Sequence, residues 1–422
     1  MVNRSLILIW EACSKEVQQV LEYGMVFEQF IRWLSIAESA HRVEAAFLLS
    51  VAYLDEAVRP DEREGIEAAM TVLLEDPDPE VRDALAQSLA MQARAPRHIV
   101  LGLANDLPNI AATVVARSPV LIDAELVDIV ATADEIVQVA AASRARVSSS
   151  LSAALAEVGG VPALVALIRN PQATVQSFSY RRIVERHGDD PDLSEIMLSR
   201  QDLPIEVRHD LLDRLSTALQ NLVVNRALVR QERAEEMTRE ARDKATVALA
   251  ASASASEVGA LVEHLRLSGQ LTTTLLLRAA CRGNIRFLEE ALARLSGTPI
   301  ARVFALLSEG REAPFRALYK KAGLPGRAYP AFATAIEVNR EAVWPSTGSL
   351  VDESRFARMV IDRVVQRYQS AETGPPDDLL MLLRRFAAEA ARDAARSFAV
   401  QAVRAPLQLA GPPDSAPRDR AA

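Results

Sequence analysis

Leu73-Leu74-Glu75-Asp76-Pro77-Asp78-Pro79-Glu80-Val81-Arg82-Asp83-Ala84-Leu85 holds a complete helical turn-around. An apolar helix runs to Leu74, and Asp76 and Pro77 turn the chain. Asp78 is placed to accept from the free N–H groups of a new helix, while Pro79 suits a first turn that needs no N–H. Leu85 and Leu89 then carry the apolar stripe on, one helical turn apart. A single hairpin of this kind cannot bury both sides of its stripe, so the pattern calls for stacked neighbours.

The same grammar recurs. Asn170-Pro171 before Val175-Gln176 repeats the offsets of Asp76-Pro77 before Val81-Arg82. Asp202 before Val207-Arg208 does so again, and Thr132 before Val137-Gln138 is a weaker echo. A degenerate unit runs from Leu103 through Asp106 and Pro108 to Ile110. Taking Val81, Ile110, Val137, Val175 and Val207 as equivalent gives spacings of 29, 27, 38 and 32 residues, the range of two short helices and two turns. Gly159-Gly160-Val161-Pro162-Ala163 reads like the glycine turn and opening helix of an armadillo unit. The expected fold is all-α, a HEAT/armadillo-like solenoid followed by a second all-helical region.

Composition agrees with helices. Aromatic residues make up 5% of the 422 and Gly only 16, while Ala, Leu, Arg and Glu fill the long segments. Cys13 and Cys281 stand far apart and outside any C-x-x-C spacing, so neither a disulfide framework nor a zinc site is indicated. The apolar run Leu6–Trp10 is too short for a signal-peptide core or a membrane span, and a cytoplasmic location is expected. Charge is uneven. Residues 1–256 carry 25 basic and 38 acidic side chains, and residues 257–404 carry 21 and 16, so the two halves suit each other or different partners.

Six segments are expected. Residues 1–24 look unrelated to the rest of the chain, with translation starting at Met25, after which Phe27, Phe30, Ile31 and Leu34 open the periodicity. The solenoid takes 25–220, and a solvated, mixed-charge connector helix with the run Ala251–Ser256 takes 221–256. A second helical region takes 257–345, with turns at Gly283-Asn284 and Gly323-Leu324-Pro325-Gly326. After Trp344-Pro345-Ser346-Thr347-Gly348, C-terminal helices flanking Gly374-Pro375-Pro376 take 346–404. A Pro-rich disordered tail takes 405–422.

Several phrases in order resemble the bacterial domain-of-unknown-function family 2336: Asp76 to Leu89, Arg97-His98-Ile99-Val100, Ala116-Arg117-Ser118-Pro119-Val120-Leu121, His264 to Thr272, and Lys321-Ala322-Gly323-Leu324-Pro325. The resemblance spans roughly residues 25–345. It implies one architecture across the family and supplies no functional residues.

No H-E-x-x-H, G-x-S-x-G, P-loop or dinucleotide fingerprint occurs, and the five histidines fall singly. No catalytic residue, metal ligand or cofactor is expected. His187-Gly188-Asp189-Asp190-Pro191-Asp192 could offer an imidazole and three carboxylates to a metal, but it reads better as a helix end, with Gly188 left-handed, followed by the next cap. Gly159-Gly160 reads as a turn, since no Lys or Ser/Thr follows where a phosphate loop needs it. Asp76 with Arg82 and Asp202 with Arg208 are expected to tie repeat turns together. Arg316, Lys320, Lys321 and Arg327, among Phe315, Tyr319, Tyr329 and Phe332, could draw phosphates and stack bases. The leading expectation is a non-enzymatic interaction module that docks a partner protein. Nucleic-acid association through the basic half is the alternative, and a metal-dependent enzyme comes third.

Overall fold

A computed structural model describes residues 32–34, 36–226, 228–341, 350–371 and 378–404. The expectations for residues 1–24, for Phe27, Phe30 and Ile31, for 344–348, for Gly374-Pro375-Pro376 and for the tail 405–422 lie outside the described residues. The fold is all-α. Among the described residues no strand forms, and only an isolated bridge joins Val147 to Ala173.

The chain divides into two compact units, Met1–Arg214 and Leu215–Ala422. In the first, α1 (Ser39–Leu54), α2 (Pro60–Leu73), α3 (Pro79–Leu89), α4 (Arg97–Ala104), α5 (Pro108–Arg117) and α6 (Asp123–Thr132) are followed by α7 (Glu135–Ala142), α8 (Ser149–Val158), α9 (Val161–Arg169), α10 (Ser177–His187) and α11 (Pro191–Ser199). Helix α12 (Ile205–Asn225) crosses the division. Each odd-numbered helix packs on the next odd one, from α1 through α3, α5, α7 and α9 to α11, and α6, α8 and α10 pack likewise in a second row. Within these rows a helix thus buries one face against its neighbour two along. A continuous core results, running from Ala46 to Leu211.

The register of the repeat differs from the sequence reading. Val81, Ile110 and Val137 are each the third residue of an odd-row helix and are buried. Val175 lies outside any helix, before α10, and Val207 belongs to α12. The true equivalents are Ala163 in α9 and Leu193 in α11, both fully buried. With them the spacings become 29, 27, 26 and 30 residues. The misreading has a physical cause. Asn170-Pro171 and Asp202 follow odd helices, whereas Asp76-Pro77 precedes one, so the same turn chemistry serves both edges of the stack.

In the second unit α13 (Gln231–Ser252), α14 (Ala255–Leu267), α15 (Thr273–Cys281), α16 (Ile285–Ser296), α17 (Ile300–Glu309) and α18 (Glu312–Lys321) precede a short 3₁₀ turn, Gly326–Ala328. Helices α19 (Tyr329–Glu341), α20 (Leu350–Ala371) and α21 (Asp378–Arg404) complete it, and α20 and α21 pack extensively on each other. The charged segment expected as a solvated connector is part of this unit's packing. Ala234, Thr246, Val247 and Ala250 of α13 are buried, Lys244 lies 2.6 Å from Asp393 of α21, and Arg385 of α21 lies 2.8 Å from Glu236. The Ala251–Ser256 run ends α13 and starts α14, with a tight turn at Ala253-Ser254 between them. Ser254 accepts from the Glu257 N–H while Glu257 Oε2 accepts from the Ser254 N–H at 2.8 Å, a reciprocal cap that starts α14.

Candidate interaction surface

The edges of the first unit are where its sequence places polar side chains, and those side chains tie one helix pair to the next. At the edge where odd helices begin, the fourth residue of α1, Arg42, forks onto Asp76 at 2.8 and 3.1 Å. The fourth residue of α3, Arg82, forks onto Asp106 at 2.6 and 3.0 Å. Arg82 also donates to the Asp76 carbonyl. Asp76 and Arg82 therefore belong to successive rungs, and each carboxylate is held by an arginine from the preceding odd helix. The expected direct pair of Asp76 and Arg82 is replaced by this longer reach.

At the opposite edge the acceptors are helix-terminal carbonyls. Arg144, just past α7, donates to the Val115 and Ser118 carbonyls at the end of α5. Asn170, just past α9, donates to those of Ala142 and Arg144 at the end of α7, at 3.0 and 2.8 Å. Arg200, just past α11, reaches Ile168 and Asn170 at the end of α9. In the second row Arg186 closes α8 through Ala156 and Gly159. An α-helix leaves its last carbonyls without internal partners, and at the ends of α5, α7, α8 and α9 some of them accept from a side chain in or just past the helix two along. Asp202 pairs with Arg200, at 2.6 and 2.9 Å, and Arg208 donates to the Arg200 carbonyl. The sequence reading missed Arg144, Asn170, Arg186 and Arg200 as ties. Their one signal is a donor side chain at or just past a helix end.

Burial and pairing set the charge states. Burial alone would raise the Asp106 carboxyl, but hydrogen bonds from Arg82 and the Leu107 N–H outweigh it and hold the group below its ordinary value. Hydrogen bonding from Arg200 does the same for Asp202 against its burial. Between the tied turns, large apolar side chains stay in water. Leu107, capping α5, and Ile136, in the first turn of α7, are each about half exposed, on one edge of adjacent helices. Ile122 and Phe178 stand exposed at the starts of α6 and α10.

The remaining candidates fall into place individually. Gly188 is right-handed, with φ −65°, which corrects the left-handed end expected for it. A Cβ there would lie 2.4 Å from the Val184 carbonyl oxygen, so close approach is what demands glycine. Asp190 caps α11 through the Leu193 N–H at 2.9 Å, and Asp189 faces Arg214 at 3.3 Å. Gly159 and Gly160 form the turn between α8 and α9. Arg316 pairs with Glu312 at 2.6 Å and lies over the Tyr329 ring, while Lys321 reaches the Thr298 hydroxyl. Lys320 and Arg327 are exposed. Phe315, Tyr319, Tyr329 and Phe332 are buried and pack on one another with centroids 5.3 to 6.1 Å apart. Rings committed to a core in this way offer no face for bases.

Fold and edges together define an all-helical protein whose first unit packs its helices serially and bonds turns of successive pairs to one another. It belongs to the family described as uncharacterised protein conserved in bacteria (DUF2336), whose family model matches residues 110–374. The match opens within α5 and extends past α20, so the phrases Asp76–Leu89 and Arg97–Val100 fall before it. No curated protein and no solved structure matches the chain. Among the described residues no helix is long and apolar enough to cross a membrane.

Proposed function

We propose that this protein is a scaffold, a HEAT-like stack that docks a partner protein along the edge where Leu107 and Ile136 emerge. The observation that carries the reading is that these two large apolar side chains stay about half exposed on neighbouring helices, with Asp106, next to Leu107, tied to Arg82 of the preceding odd helix. A tied frame holds its exposed groups at fixed spacing, so a partner loses little entropy by ordering them, and apolar anchors at a preformed edge are what such docking uses. The test is co-purification from the native cell. Leu107→Asp with Ile136→Asp, both exposed, should abolish recovery of a stoichiometric protein partner while the melting temperature stays within a few degrees of wild type. Unchanged recovery in the double variant removes this edge as the docking site.

A further inference from the structure

The first unit also carries a nucleophile–base–carboxylate array on α2 and α4. We propose that Thr71, His98 and Glu67 form a centre that hydrolyses small carboxylic esters in a cleft of about 430 Å³ lined by these three and by Arg63. Glu67 and Thr71 stand four residues apart on α2 and so share a face, and His98 is the second residue of α4. His98 Nε2 lies 2.9 Å from Thr71 Oγ1, and its Nδ1 lies 3.5 Å from Glu67 Oε1. The Tyr53 hydroxyl donates to the other carboxylate oxygen at 3.1 Å, which fixes Glu67. Thr71 has one hydroxyl proton and two acceptors, the Glu67 carbonyl at 2.8 Å and His98. Arg63 donates to the Asp55 carbonyl through Nη2, and its Nε has no hydrogen-bond partner.

The roles follow from these positions. Thr71 Oγ1 attacks the ester carbonyl carbon as its proton passes to His98 Nε2, and Glu67 stabilises the imidazolium through Nδ1. The C–O bond to the alcohol breaks, the alcohol leaves with the proton from His98, and the acyl group remains on Thr71. Water then attacks the acyl carbon with His98 as base, releasing the acid and restoring Thr71. The sum is ester plus water to acid plus alcohol. All of these residues precede residue 110, so the centre lies outside the family-matched segment and stands independently of the docking edge.

The probe is p-nitrophenyl acetate with the full chain. Expected are nitrophenolate release with one acetyl group trapped on Thr71 by mass spectrometry, and loss of both in Thr71→Ala with retention in Thr71→Ser. The rate should fall at least about a hundredfold in His98→Ala. Glu67→Gln, a positioning change, should keep the label on Thr71 and move the pH profile of the rate. Acetylation confined to other side chains, or a Thr71→Ala protein that melts like wild type and turns over as fast, overturns the proposal and leaves a surface hydrogen-bond array. Because the scaffold test reads partner recovery and this one reads acyl transfer, either can fail alone.

Discussion

Two acids, the half-buried Asp106 and the buried Asp243, respond to pH in opposite senses. Asp106 has its folded-state value held below the ordinary 3.8, so its stabilisation is present above that value and is lost as pH falls through the lower folded one. Asp106→Asn should cost about 1.5–3 kcal/mol at pH 7, the range for hydrogen bonds to charged groups, and the deficit should shrink below about pH 4 in denaturant titrations. An equal deficit at pH 3 and pH 7 would mean that Arg82 draws nothing from the charge. Asp243, buried in α13, is raised above 3.8 by burial, which outweighs the pull of Arg278, Arg239 and Arg242. The folded state therefore holds this proton more tightly than the unfolded chain, and stability declines as pH rises through that window. Asp243→Asn should gain stability relative to wild type between pH 4 and pH 7, and a loss that grows with pH would reverse the assignment.

The two units end their helices by different means, and each means has its own cost. Helices α14 to α18 are each followed closely by a left-handed glycine: Gly269, Gly283, Gly297, Gly310 and Gly323, 13 or 14 residues apart. In the first unit a side chain from the helix two along takes that part. Gly297→Ala, at φ +60° with open space around it, should cost about 1–2 kcal/mol in backbone strain alone. Asn170→Ala leaves two carbonyls without donors and should cost about 1–3 kcal/mol, with faster amide exchange at the ends of α7 and α9. Exchange unchanged there would show that water serves those carbonyls equally well. The glycine period was legible in the sequence, and two of its turns were read. The Asn170 tie was not, because Asn-Pro marks a turn without saying which edge of a stack it lies on. The end of α12 at Asn225 was missed for a related reason, since neither Gly nor Pro marks it and Arg230 simply turns extended to cap α13.

Helix content follows from composition and period over the whole chain, so the all-α class was open to reading. The lateral neighbours of each helix were not, because packing onto a partner some 26 to 30 residues away leaves only a spacing, and one misplaced valine shifts it. That linear arrangement in the first unit makes stability a sum of helix-pair and neighbour-interface contributions instead of a property of one centre. Position along the row then decides what a cavity does. Leu164, fully buried in α9, lies within the row, and Leu49, 1% exposed in α1, lies at its first described helix. Either Leu→Ala change removes a similar side chain, with a cost of about 2–5 kcal/mol. Leu164→Ala should break the row in two, so that hydrogen exchange on the full chain finds α1 to α5 still protected while α7 to α11 open at a lower free energy. Leu49→Ala should loosen α1 and its partner α3 and leave protection beyond α7 as it was. If both variants lower protection evenly from α1 to α11, the first unit folds around a shared core, and pairwise stacking is not what holds it.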